Sequence, residues 1–109
     1  MNNKLENWQP ITFLEINDLV SEQLSECSSD EMASFQQINI TPRIINFERG
    51  SVIDHLFVVA EIGNKVVFYD DTEEGFEIAT PDSDGVIRNS GSGQFTLREA
   101  IFQLQSGNR

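Results

Sequence analysis

Apolar residues recur along the first quarter of the chain at helical spacing. Ile16, Leu19, Val20, Leu24 and Cys27 fall on one face, with Gln23 among them, while Glu15, Asp18, Glu22 and Glu26 take the outer side. Thr12 and Glu15 have the spacing of a capping box, in which each side chain satisfies the other residue's backbone N–H. Ile11 and Ile16 stand at the staple positions around it. The pattern predicts an amphipathic helix over residues 12 to 27. Ser28 and Glu31 repeat the capping-box spacing, and Met32, Ala33 and Phe35 supply a short apolar face. A second helix is therefore expected, ending before Pro42, which disfavours helical backbone in its predecessor.

The period then changes. Arg43 to Phe47 is a short β-prone run, and Glu48 to Ser51 reads as a turn. In Val52 to Ile62 the second half is apolar at consecutive positions, which predicts a central strand covered on both faces. Gly63-Asn64 suits a two-residue hairpin turn, with Lys65 to Asp70 returning. After a turn at Asp71 to Gly75, Phe76 and Ile78 alternate with Glu77, so the two apolar side chains should point inward and Glu77 outward. Pro81 to Gly85 is another turn, and Val86 to Arg88 a short final strand. Asn89 to Gly93 is a Gly/Ser loop. Thr96 and Glu99 form a third capping box, with Phe95 and Ala100 at its staple positions. Leu97, Ala100, Ile101 and Leu104 make the stripe of a last helix ending near Gln105, and Ser106 to Arg109 reads as a tail. The expected fold is α+β: N-terminal helices, an antiparallel meander of four to five strands, and a C-terminal helix packed on the sheet. No repeat or linker divides residues 1–109, so one domain is expected.

Charge narrows the choice of partner. The 109 residues carry 18 Asp plus Glu against 7 Lys plus Arg, a formal charge of -11. Binders of nucleic acid or anionic lipid need basic patches, so neither partner is expected; a basic protein would be attracted by this field. The longest apolar stretch, Leu56 to Ala60, is far below a membrane span of about 20 residues. The N-terminal residues lack the charged-then-apolar pattern of a secretory signal, which points to the cytoplasm.

Candidate chemistry is sparse. His55 is the single histidine, with no residue spaced to orient it, and reads as structural. Cys27 stands alone on an apolar stripe and reads as a small hydrophobe. Asp82-Ser83-Asp84-Gly85 has the form of the start of a calcium loop, but the position for its closing acid is Gly93, so a tight turn is the better account. No catalytic motif, metal site or cofactor is expected, and the chain does not read as an enzyme.

The run from Asp70 to Asp84 is more distinctive. It holds seven acids, Asp70, Asp71, Glu73, Glu74, Glu77, Asp82 and Asp84, and no Lys or Arg. Two adjacent turns and one strand face could converge into a single negative rim able to pair with Arg and Lys. Tyr69 is the aromatic anchor expected beside them; Trp8 is a further candidate, and Phe76 fits the core better. The acids of the first helix read as an ordinary solvated face.

Two stretches carry a resemblance. Leu56 to Gly63, with Val67 to Phe76 and its Asp71-Thr72-Glu73-Glu74-Gly75-Phe76 segment, resembles small acidic bacterial proteins, as does the Asp82 to Ile87 turn. Such proteins are similar to immunity proteins encoded beside polymorphic toxins, including contact-dependent growth inhibition systems. The resemblance spans about residues 52 to 104. It implies a non-enzymatic cytoplasmic inhibitor of one cognate toxin, in many cases a basic nuclease such as an RNase, whose active-site cleft an acidic surface would cover. A small adaptor domain binding a basic protein is the alternative.

Overall fold

The computed structural model describes residues 10–88 and 94–107. Two helices lead, α1 (Phe13–Leu24) and α2 (Ser29–Ile38). Four strands follow: β1 (Asn39–Arg49), β2 (Val52–Ile62), β3 (Lys65–Asp70) and β4 (Gly75–Ala79). The helix α3 (Leu97–Gly107) comes last among the described residues. The strands form one antiparallel meander in chain order. The expected α+β arrangement is the one observed, with four strands.

All three capping boxes close. The Glu15 N–H donates to Thr12 Oγ1 at 3.1 Å while Glu15 Oε1 accepts from the Thr12 N–H at 2.9 Å. Ser28 with Glu31, and Thr96 with Glu99, repeat the exchange. Each box satisfies backbone donors that the first helical turn leaves unpaired.

Strand β1 departs from expectation. It starts at Asn39, directly after α2, and includes Pro42. Proline removes a ladder donor and is confined to edge strands or irregular pairing. Both conditions hold: β1 lies at the sheet edge, and its register with β2 slips between Asn39 and Arg43.

Two apolar cores flank the sheet, as the doubly apolar second half of β2 requires. On one face Ile16, Phe35, Val59, Phe76, Leu97 and Ile101 pack together beneath the helices. On the other, Ile45, Phe47, Leu56, Val58, Phe68 and Ile87 make a second cluster. Ile87 explains why Val86 to Arg88 is not a fifth strand of the meander. It bridges Phe47 on the outer edge of β1: its N–H donates to Asn46 O and its C=O accepts from the Glu48 N–H, each at 2.9 Å. Burying Ile87 in the second core, at the far side of the sheet from β4, outweighs a longer pairing beside its sequence neighbour. Phe95 covers the opposite edge by bridging Phe76, with both bonds at 2.8 Å. Both edges thus carry a bridge, one way in which sheets avoid pairing with other chains.

Gly75 marks a close approach at that second bridge. A Cβ there would lie 2.7 Å from Gln94 Cβ and 3.0 Å from Gln94 Cα. The Phe76–Phe95 bonds hold the adjoining backbone, so the neighbour cannot simply move aside. Gly75→Ala is expected to destabilise the fold by about 1–2 kcal/mol through overpacking, read as a lower urea midpoint. An unchanged midpoint would show that the 94–95 segment yields freely.

Candidate binding surface

The seven acids of the 70–84 run do not share one rim. Alternation along β3 turns Val66, Phe68 and Asp70 toward the second core, and the Phe68–Glu77 and Asp70–Gly75 pairs put Glu77 on the same face. Asp70 is 0 % and Glu77 6 % exposed. Glu77 does face away from Phe76, as the period of two predicts, but that side is a second core and not solvent.

Arg49 is the reason these carboxyl groups can be buried. β2 pairs with β3 only from Phe57 onward, whereas it pairs with β1 from Val52. The end of the β1–β2 hairpin therefore runs past β3 and brings Arg49 to Asp70. A guanidinium nitrogen lies 2.5 Å from Asp70 Oδ2, and Nε lies 2.9 Å from Asp54 Oδ2. The guanidinium carbon stands 4.3 Å above the centre of the Phe47 ring. Asp70 Oδ1 accepts from the Thr72 and Glu73 N–H groups at 3.1 and 3.3 Å, closing the β3–β4 turn. Burial first, and the negative charge of Asp70 second, push the Glu77 carboxyl up to about 7. Nothing in the sequence ties Arg49, expected in a turn, to an acid 21 positions later.

Asp82 and Asp84 form a separate group. The Arg88 guanidinium reaches Asp82 Oδ2 at 2.9 Å, both Asp84 oxygens at 2.9 and 3.1 Å, and both Glu48 oxygens at 3.1 and 3.2 Å. The turn itself is closed by local bonds, Gly85 N–H to Asp82 O at 2.8 Å and Val86 N–H to Asp84 Oδ1 at 3.2 Å. This is the tight turn expected in place of a calcium loop.

The acids that remain toward solvent meet a second set. Asp71 Oδ2 accepts from the Ile11 N–H at 2.9 Å, which fixes the entry of α1 against the β3–β4 turn. Glu15, Asp18 and Glu22 of α1 then line one groove with Asp71 and Glu74, over a floor that includes Tyr69, Leu19 and Ile11. Its volume is about 460 Å³, and among the described residues no Lys or Arg lines it. Glu73 lies outside it, its Oε1 accepting from Gln94 Nε2 at 2.6 Å. Three of the four helix acids expected to be a plain solvated face, Glu15, Asp18 and Glu22, are thus one wall of an acidic groove. No local spacing places them there, because the Ile11 N–H that anchors α1 beside Asp71 reaches sixty residues along the chain.

Tyr69 is half-buried at the floor. Burial, followed by the charges of Glu74, Asp71 and Asp70, raises its phenol above the usual range. The hydroxyl stays protonated at neutral pH and can donate or accept. Chemically the groove suits a Lys or Arg side chain: the aliphatic stem against Leu19 and the Tyr69 ring, the cationic head among carboxylates.

The other candidates take structural places. Exposed His55 meets Asn46 Oδ1 through Nδ1 at 2.7 Å, across the β1–β2 pair. Cys27 is half-buried with Sγ 3.6 Å from Gln23 O. Phe76 lies fully in the core. Trp8 and the 89–93 loop lie outside the described residues. Among the described residues no cluster of three or more His, Cys, Asp or Glu is placed to hold a metal ion, and no helix is long and apolar enough to cross a membrane. Comparison with family models, with curated proteins and with solved structures finds no match to this chain.

Proposed function

We propose that this protein is a cytoplasmic immunity-type inhibitor that binds a basic toxin domain, such as a nuclease, through the groove between α1 and the β3–β4 turn. The observation that carries the reading is the groove itself. Five carboxylates from two distant parts of the chain surround an aromatic and aliphatic floor, with no basic side chain among the described residues that line it. Such a surface fits cationic side chains that would otherwise contact phosphates. The resemblance of the Leu56–Phe76 region to immunity proteins points the same way. Of the acids expected at the interface, Asp71 and Glu74 line the groove, with Tyr69 beneath them. Asp70 supports the turn from inside, Glu77 is buried on the same sheet face, and Asp82 and Asp84 are held by Arg88.

The test uses the purified product of the gene immediately upstream. Calorimetry should detect a complex, and co-expression should rescue cells from that product's toxicity. Asp18→Lys with Glu22→Lys, both on the outer side of α1, should weaken binding at least tenfold and flatten its salt dependence, because complementary charge acts mainly on association. No complex and no rescue would defeat the reading. Unchanged affinity of the double variant would remove the groove from it.

A further inference from the structure

A second surface adjoins the groove. The β1–β2 hairpin runs past β3, and toward its end the face that elsewhere packs under the helices leaves apolar side chains exposed. The pairs Ile44–Phe57, Asn46–His55 and Glu48–Ile53 set these side chains on that one face. Ile44 is 50 % and Ile53 51 % exposed, two large apolar side chains on one side of the same hairpin. Phe13, 44 % exposed at the start of α1, meets Phe57 edge-on at 6.3 Å and joins this face to the groove entrance, where Ile11 binds Asp71.

Charge borders the face at both ends. Beyond Phe13 lie the carboxylates of the groove. Beyond Ile53 lie Glu48, Asp82 and Asp84, three carboxylates around the single Arg88 guanidinium. An apolar centre inside a charged rim is the anatomy of a protein interface. The rim carries a net negative charge at both ends, so a second copy of this chain, itself at -11, would meet like charge. A strand added along β1 would meet the Ile87 bridge and the irregular register at Pro42.

We infer that the Ile44–Ile53 face of the hairpin is the apolar anchor for the same basic protein partner whose cationic side chains enter the groove. The inference rests on the reading under Proposed function and adds where affinity, as distinct from attraction, arises. The groove sets the association rate and its salt dependence; the hairpin face sets how long the complex lasts.

Stopped-flow and calorimetry with the purified upstream gene product separate the two. Ile44→Ser with Ile53→Ser should raise Kd about 10- to 100-fold through faster dissociation, with the salt slope of association unchanged. Asp18→Lys with Glu22→Lys should do the reverse. Both isoleucine side chains are half exposed, so the thermal midpoint should fall little; a single Ile53→Ser variant with wild-type midpoint and a raised dissociation rate also supports the inference. If the serine variants bind within twofold of wild type, the inference fails while the groove reading stands. If wild type does not bind at all, both fail. If sedimentation shows a dimer of the free chain that the serine substitutions dissolve, a second copy covers the face and the inference is overturned.

Discussion

Arg49→Ala is expected to destabilise the fold by about 3 kcal/mol at pH 7.5, the range for removing one partner of a buried ion pair. Asp70 has no solvent exposure and Glu77 almost none, so the variant leaves two adjacent carboxyl groups without their cation. The loss should shrink as pH falls toward 5, because protonating Glu77 removes the repulsion that Arg49 offsets. Arg49→Met keeps an aliphatic stem but removes the guanidinium that stands over Phe47 and pairs with Asp54, so it divides packing from electrostatics. Urea unfolding of wild type and both variants at pH 5 and 7.5 reads these contributions. A midpoint that Arg49→Ala leaves unchanged would mean that Asp70 is held by the Thr72 and Glu73 N–H groups alone.

Most of the fold is legible in the sequence because its signals are local. A capping box lies within four residues, a hairpin turn within two, and the doubly apolar run of β2 announces two cores by itself. Each of these features is a short-range pattern backed by a short-range cause. The departures share a different origin. Spacing places Ile87 in the meander because its neighbours alternate, yet it pairs with β1, forty residues upstream, to fill the second core. Pro42 delays the expected start of β1, since nothing local says that a strand will be an edge strand.

The candidate surface is legible in kind and not in shape. The sequence marks the 70–84 run as unusually acidic, and that is correct as chemistry. Whether a carboxylate faces solvent depends on what covers the other side of its strand. Asp70 and Glu77 are covered because the hairpin end reaches over them with Arg49. Conversely, Glu15, Asp18 and Glu22 come to face the turn because one backbone N–H, that of Ile11, finds Asp71 sixty residues away. Contacts of that separation leave no periodic trace. The acidic groove is therefore assembled from two acids of the expected run, Asp71 and Glu74, and three helix positions that spacing alone assigns to solvent.

Glu77→Gln should stabilise the protein at neutral and alkaline pH. The folded state lifts this carboxyl from 4.5 to about 7, first through burial and then through Asp70. The native state thus binds the proton more tightly than the unfolded chain does. Between these two values stability falls as pH rises, and above about 7 the loss is complete. A tenfold change in proton affinity is worth about 1.4 kcal/mol, so the ionised carboxylate costs the native state on the order of 3 kcal/mol at pH 8. Glutamine keeps the shape and cannot ionise. The variant should match wild type near pH 4.5 and exceed it by about that amount at pH 8, with the difference opening between about pH 5 and 7. Urea midpoints across that interval test the prediction, and a constant difference at every pH would refute it. Glu77 lies on the second-core face, away from the groove and the Ile44–Ile53 face, so the same substitution should leave affinity for a basic partner within twofold. Stability would then change while binding does not. That separates the buried acids of the 70–84 run from those that the turn presents.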